Sequence, residues 1–298
     1  MKKLQILFLI LIDLLTTHLV TADNETWTTW RETSMITAIA IQDNFIWAGT
    51  SCGLLKWDRS NNTQFQCFDA NVLTNNEITC LLVDSKGSLW VGTHLGLNRL
   101  DESTWTSWTE EEGLTGSGIT CLLLDNSENV WIGTTAGVNI YDGSGWRSWT
   151  TDDGLASGNV TVLFLDNSGG IWAGTSSGDV SKFDGSKWTT WETNSLLDYP
   201  ITSGPLKKGI LSFASDNNGN LWAGSNGGVI RFDGSNWTSW TNIQFVTSLQ
   251  IDNSGNILAG GSKGIWKFNG STWIQWVTRD ELTNDRVNSM LLDNCANF

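Results

Sequence analysis

Short apolar runs separated by polar turns recur along the chain, and residues 119–149 show the unit most clearly. Each run is bounded by Asp, Asn, Ser or Gly, as in the turn Asp125-Asn126-Ser127-Glu128 and the turn Asp142-Gly143-Ser144-Gly145. The connections are too short to hold a helix, so the unit predicts a four-stranded antiparallel sheet. Its predicted strands cover residues 119–124, 130–132, 138–141 and 146–149.

The same unit returns at a period of about 41 residues. A WxG-type anchor falls at Trp47, Trp90, Trp131, Trp172 and Trp222, and Leu258 occupies the sixth slot. A second anchor, WxxW, begins at Trp27, Trp105, Trp146, Trp188, Trp237 and Trp273. A period of this length with four strands in each unit is typical of a β-propeller, whose blades must stack to bury their faces.

The pattern predicts an all-β fold, a β-propeller of four-stranded antiparallel blades occupying residues 23–298. The six complete blades are expected at residues 36–68, 78–108, 119–149, 160–191, 210–240 and 246–276. A partial seventh blade is expected from the two termini, residues 27–30 and 287–293. The fourth blade has one extra residue between Gly178 and Asp184, which predicts a bulge in its third strand.

The first 22 residues have the pattern of a secretory signal peptide. Lys2 and Lys3 precede a mainly apolar segment, and Val20-Thr21-Ala22 offers a small-residue cleavage site. We therefore expect an exported protein, periplasmic or extracellular, with no membrane span after cleavage. The formal net charge of −14 disfavours nucleic acid and anionic membrane surfaces as partners.

The recurring tryptophans are interpreted as packing residues. The two indoles of WxxW point to opposite faces of an extended strand, one towards each neighbouring surface. Stacking on a sugar ring is the competing interpretation. The Asp-x-x-Gly turns are too short for a calcium loop of about 12 residues, which favours ordinary hairpins.

Catalytic machinery is sparse in the sequence. Outside the signal segment His94 is the only histidine, and no phosphate-binding glycine motif is present, so we expect no enzyme, metal or cofactor. Cys80 and Cys121 occupy a slot that holds small residues in the other units, which favours packing over redox chemistry. Cys52 and Cys67 lie in one blade and could pair, although the sequence does not place their Cβ atoms.

The motifs DNSGGIWAGTSSG, residues 166–178, and FDGSKWTTW, residues 183–191, resemble the two-component regulator propeller repeat. The resemblance implies an extracytoplasmic recognition platform of the sensor type, binding a glycan or a protein partner as a monomer. Signalling output would come from a separate membrane protein or from a C-terminal continuation. The alternative is a propeller-fold hydrolase or lyase acting at the central channel.

Recognition is expected on the face that carries the turns between second and third strands and the connections between blades. The first set varies inside the GTxxG motif, and one connection, residues 192–209, is unusually long and contains both prolines. The predicted ligand-binding residues are His94, Thr135, Ser176, Asn226, Lys263, Tyr199, Lys207 and Lys208.

Overall fold

The structure, a computed structural model, describes residues 35–58, 65–69, 71–197, 209–277 and 287–290. Side chains are described within these ranges except at 65–67 and 277, and strand assignments extend to three further segments near the N-terminus. Within this part of the chain, no helix has the length and apolar character needed to cross a membrane.

The chain divides into two units, residues 1–107 and 108–298, and each is built from four-stranded antiparallel sheets. The first unit contains blade 1, with strands Ile36–Gln42, Phe45–Thr50, Gly53–Asp58 and Phe65–Phe68. It also contains most of blade 2, with strands Ile78–Val83, Leu89–Thr93, Gly96–Asp101 and Thr104–Trp108. A three-stranded sheet precedes them, formed by Leu7–Phe8, Thr17–Asp23 and Thr26–Glu32.

The second unit contains four further blades. Blade 3 has strands Ile119–Leu124, Val130–Thr134, Val138–Tyr141 and Trp146–Trp149. Blade 4 has strands Val160–Leu165, Ile171–Thr175, Val180–Phe183 and Trp188–Trp191. Blade 5 has strands Ile210–Ser215, Leu221–Ser225, Gly228–Phe232 and Trp237–Trp240. Blade 6 has strands Ser248–Ile251, Ile257–Gly261, Gly264–Phe268 and Trp273–Val277.

In all six blades the strands pair in sequence order, first to fourth. The predicted all-β fold of four-stranded antiparallel propeller blades is confirmed. The signal peptide stays a prediction; the structure gives strands in that region, and Thr17–Asp23 pairs with Thr26–Glu32, which contains the first WxxW motif.

Three one-turn 3-10 helices were missed by the strand periodicity. They span Glu110–Glu112, Thr151–Asp153 and Thr193–Leu196, all in connections between blades. The first two begin with capping boxes, in which Thr109 or Thr150 exchanges hydrogen bonds with an acidic residue three positions later. The motif Thr-x-x-Glu/Asp was the sequence signal for both.

Indole rings fill the space between consecutive blades. In blade 3, Trp131 stacks on Trp149 with centroids 5.5 Å apart and an interplanar angle of 9°. Phe183 and Trp188 of blade 4 meet Trp131 edge-on, at 5.5 and 6.4 Å. Equivalent quartets join blades 4 and 5 and blades 5 and 6. These contacts agree with the packing role predicted for the tryptophans. Each aromatic pair contributes about 0.5–1.5 kcal/mol of stability beyond that of the buried surface area.

A second repeated feature links the first turn of a blade to its WxG tryptophan. In these Asp–Trp pairs an aspartate accepts backbone N–H bonds inside the turn with one oxygen and the indole N–H with the other. The indole bonds are 2.8–2.9 Å long. The four pairs are Asp84–Trp90, Asp125–Trp131, Asp166–Trp172 and Asp216–Trp222.

The glycine of WxG leaves room for the next blade. A Cβ on Gly174 would lie 2.6 Å from Cγ2 of Ile210, the first residue of blade 5, and Gly224 and Gly49 face Val246 and Ile78 in the same way. Sheets can approach this closely only where a side chain is missing. The motif therefore needs glycine for packing between blades.

The C-terminal segment 287–290 packs against blade 6 in the same way as the first residue of a blade packs against the glycine of the preceding one. Val287 Cγ1 lies 2.7 Å from the Cβ position of Gly260, and the Val287 carbonyl accepts a hydrogen bond from Thr247, as the Ile210 carbonyl does from Thr161. Val287 thus takes the place of the first residue of a seventh blade, in agreement with the predicted partial blade. Residues 291–293 lie outside the described residues, and the pairing of 27–30 with this segment stays a prediction.

The bulge predicted in the third strand of blade 4 is wrong. Val180–Phe183 pairs with Ile171–Thr175 and with Trp188–Trp191 without a register shift. The extra residue lies in the preceding turn, where Asp179 follows Gly178, so the insertion changes an exposed end of the blade and leaves the sheet regular. Bulges occur instead near the start of first strands, as between Val160 and Val162.

Candidate ligand-binding face

In blades 1 to 5 a buried hydroxyl at the end of the second strand holds the turn that leads to the third strand. Thr134 is fully buried, and its Oγ1 donates to the carbonyl of Gly137 at 3.0 Å. Thr93 and Ser225 make the same bond to Gly96 and Gly228. The buried bond fixes the turn, so the two variable residues above it change without altering the strands.

These turns and the connections between blades share one end of the sheets, as predicted. The amide of Thr135 donates to the carbonyl of Gly118 at 2.9 Å, and the amide of Ser176 donates to that of Asn159 at the same distance. In blade 5 the Asn226 carbonyl accepts from the amide of Phe245. We call this end of the blades the turn face.

The five predicted residues from the variable turns all lie on the turn face of their own blades. Thr135 and Lys263 are exposed, and Ser176 and Asn226 are half-buried. His94 is exposed in its turn, with Nε2 3.5 Å from a carboxylate oxygen of Glu77. Such an exposed imidazole offers no enclosed catalytic base, so the geometry gives no support to an enzyme centred on His94.

The other three predicted residues, Tyr199, Lys207 and Lys208, lie outside the described residues. The beginning of their connection, residues 192–197, is described and contributes to a pocket. The lining residues of this connection precede the three predicted residues, whose role in ligand binding stays a prediction.

A pocket of about 440 Å³ opens on the turn face of blade 4. This volume falls within the range of about 300–1,000 Å³ common for small-molecule sites. One wall comes from the connection into blade 4 and the other from the connection that leaves it. The lining residues are Leu155, Ala156, Asp179, Thr190, Glu192, Asn194 and Ser195.

Asp179, the inserted residue, links the lengthened turn to the outgoing connection. Its Oδ1 accepts from the amide of Asn194 at 3.1 Å, and its Oδ2 accepts from the Ser177 hydroxyl at 2.8 Å. The buried Thr193 donates to the carbonyl of Gly178 at 2.6 Å, which fastens the outgoing connection to the same turn. The pocket thus depends on the one turn that is longer than its counterparts in blades 2 and 3.

The lining is polar and acidic. Its described residues include the carboxylates of Asp179 and Glu192 and no Lys, Arg or His, and neither acid forms an ion pair with another described residue. Thr190 donates to the carbonyl of Gly154 at 2.7 Å and so helps to hold the wall. Ala156 and the buried Leu155 supply the apolar part of the lining.

The described cysteines differ in their surroundings. Cys121 packs against Gly133, and burial is the main cause that raises the pKa of its thiol to about 11. Cys52 is an exposed free cysteine, while the side chain of its predicted partner Cys67 lies outside the described part. Among the described residues no group of three or more His, Cys, Asp or Glu side chains is arranged to hold a metal ion.

Four-stranded antiparallel sheets in sequence order, joined by repeated aromatic packing, define the chain as a β-propeller of repeated blades. Three segments, residues 72–94, 113–136 and 154–177, match the family described as two component regulator propeller. These three segments therefore match the repeat that the sequence motifs resemble. A comparison with curated proteins finds no match.

Solved structures share the fold at low sequence identity. The extracellular domain of BT3049 from B. thetaiotaomicron, described as a hybrid two component system, is 19% identical with a TM-score of 0.66; the match covers 87% of this chain and 36% of that one. PorZ, a surface component of the type-IX secretion system of Porphyromonas gingivalis, is 14% identical with a TM-score of 0.61, covering 95% and 49%. Virginiamycin B lyase from Staphylococcus aureus is 12% identical with a TM-score of 0.59, covering 82% and 84%.

These similarities define the fold and do not by themselves assign a ligand or an activity. The chain spans about a third of the length of the BT3049 domain that it matches.

Proposed function

We propose that this chain is a non-catalytic, exported recognition module of the sensor type, which binds a glycan at the turn face of blade 4. The observation that carries the proposal is the polar pocket beside Asp179, which lies between the connection into blade 4 and the first residues, 192–195, of the connection that leaves it. Carboxylate, amide and hydroxyl groups together accept from and donate to sugar hydroxyls. The resemblance to an extracellular two-component domain supports the sensor role and export.

The output of such a module passes to a partner. In this proposal glycan binding changes how the propeller contacts a separate membrane signalling protein or a further part of the same polypeptide. A protein ligand on the same face is the competing form of the proposal.

Glycan binding is tested by thermal-shift screening of oligosaccharides from a range of polysaccharides, followed by titration calorimetry. We expect at least one oligosaccharide to bind, and Asn194→Ala in the pocket to weaken binding about tenfold through loss of a polar contact of about 1–2 kcal/mol. Asn126→Ala is the matched control, because Asn126 is exposed in a turn at the opposite end of blade 3. Equal loss of affinity in both variants, or no binding by any oligosaccharide, would contradict the proposal.

A further inference from the structure

The charges around the pocket allow a narrower statement about its ligand, which rests on the proposed function. We infer that the pocket selects an amino sugar, a sugar unit that carries a free ammonium group. Three of the ligand-binding residues predicted from the sequence are lysines. The described lining has the opposite charge.

The first argument is electrostatic. Two carboxylates, Asp179 and Glu192, line one pocket of about 440 Å³, and the lining residues that the structure describes include no cationic side chain. The whole chain carries a formal net charge of −14, which adds to the negative potential. A cationic ligand is attracted to such a site, whereas a uronic acid or a sulfated sugar is repelled.

The second argument concerns hydrogen-bonding capacity. Each oxygen of Asp179 accepts one bond from a neutral donor, and a carboxylate has sites for about four. For Glu192 the described residues supply no hydrogen bond to the carboxylate. Both groups therefore keep acceptor sites for an ammonium, and charge-assisted bonds of this kind are roughly twice as strong as neutral ones.

The third argument separates an amino sugar from a lysine-bearing peptide. Among the described lining residues the apolar ones are Ala156 and the buried Leu155, which give little surface for the four-carbon stem of a lysine. The remaining lining residues, Thr190, Asn194 and Ser195, are polar and suit the hydroxyls of a sugar ring. A sugar with one ammonium and several hydroxyls matches this set.

The test compares glucosamine oligomers with the N-acetylated oligomers of the same length by titration calorimetry. Acetylation removes the charge and keeps the sugar ring, so we expect the amine form to bind at least tenfold more tightly. We also expect its affinity to fall with added salt, because salt screens exposed charges. Glu192→Gln should lower the affinity severalfold, and Asp179→Asn about tenfold.

Glu128→Gln is the matched control, since Glu128 is exposed at the opposite end of blade 3 and the substitution removes the same charge. If Asp179→Asn loosens the outgoing connection, Glu192→Gln still tests the charge, because the Glu192 carboxylate holds no described structural bond. Equal affinity for amine and N-acetyl oligomers, or no effect of Glu192→Gln, would overturn the amino-sugar inference. The proposed function would still stand if neutral glycans bound. Binding of lysine peptides in preference to amino sugars would overturn it as well, and absence of all carbohydrate binding would defeat the proposed function itself.

Discussion

The hydrogen bonds of the Asp–Trp pairs lead to a quantitative prediction for the free energy of unfolding, and the pair in blade 5 is the best one to test. Asp216 is 7% exposed and accepts bonds from two backbone amides, from the Asn220 side chain at 2.8 Å and from Trp222 Nε1 at 2.9 Å. Burial alone would raise the pKa of this carboxyl, but the hydrogen bonds from Trp222, Asn220 and the turn amides together lower it. The carboxylate form is thus the one that the turn requires.

Asp216→Asn keeps the shape and replaces one acceptor oxygen by an amino group. Asn220 can turn its amide to compensate, but the indole N–H of Trp222, on a residue 1% exposed, loses its acceptor. An orphaned buried donor costs about 1–3 kcal/mol, and loss of charge assistance in the remaining bonds costs about 1 kcal/mol more. We therefore expect the free energy of unfolding to fall by about 2–4 kcal/mol in urea titrations followed by tryptophan fluorescence and circular dichroism.

Two comparisons decide whether loss of the indole hydrogen bond causes the expected fall in the free energy of unfolding. In a Trp222→Phe background the orphaned donor is absent, so Asp216→Asn should cost at least about 1 kcal/mol less there. Asp233→Asn is the matched control in an exposed turn, where Asn269 of blade 6 already makes the same two backbone bonds. An equal cost in both backgrounds, or an effect no larger than that of Asp233→Asn, would refute the reasoning.

Three further predictions follow from the same structure. Gly174→Ala should lower the free energy of unfolding by about 1–3 kcal/mol because its Cβ would meet Ile210, whereas Gly145→Ala, with open space around it, should change little in the same urea titration. Native Cys52 should react with a thiol reagent near pH 8, while Cys121 should react only on unfolding, as checked by mass spectrometry. The free energy of unfolding should fall as pH drops below about 4. The aspartates of three Asp–Trp pairs have lowered pKa values in the folded protein, so the unfolded chain takes up protons first. A free energy of unfolding that stays constant below about pH 4 in urea titrations would contradict this.

The fold could be predicted from the sequence because successive blades use the same residue types at the positions where one blade packs against the next. Trp131 and its equivalents must meet the next blade, and the glycine of WxG must admit its first residue. The Asp–Trp bond was missed, although the spacing of six residues, as between Asp166 and Trp172, recurs in four blades. The aspartate also caps its hairpin turn, and that role by itself explains an acidic residue at the position.

The site was harder to predict because its residues break the repeat. Ser176 was selected as part of a variable dipeptide, yet the pocket is lined by Asp179, three positions farther along. The sequence shows the extra residue only as a difference in length, which predicts a bulge in the strand. Pairing along Val180–Phe183 shows that the sheet excludes an insertion and moves it to the turn.

The extra residue of blade 4 lies in the turn and not in the third strand for a physical reason that bears on function. A bulge in the third strand would break the register of Phe183 against Trp188 and disturb the aromatic quartet shared with Trp131. An extra residue in the turn costs only a longer loop, since Thr175 keeps its hydroxyl bond by moving from a glycine carbonyl to that of Asp179. The buried layer therefore tolerates change only at the ends of the strands. Asp179 enters at such an end, where it acquires both an anchor for the outgoing connection and a place beside the pocket.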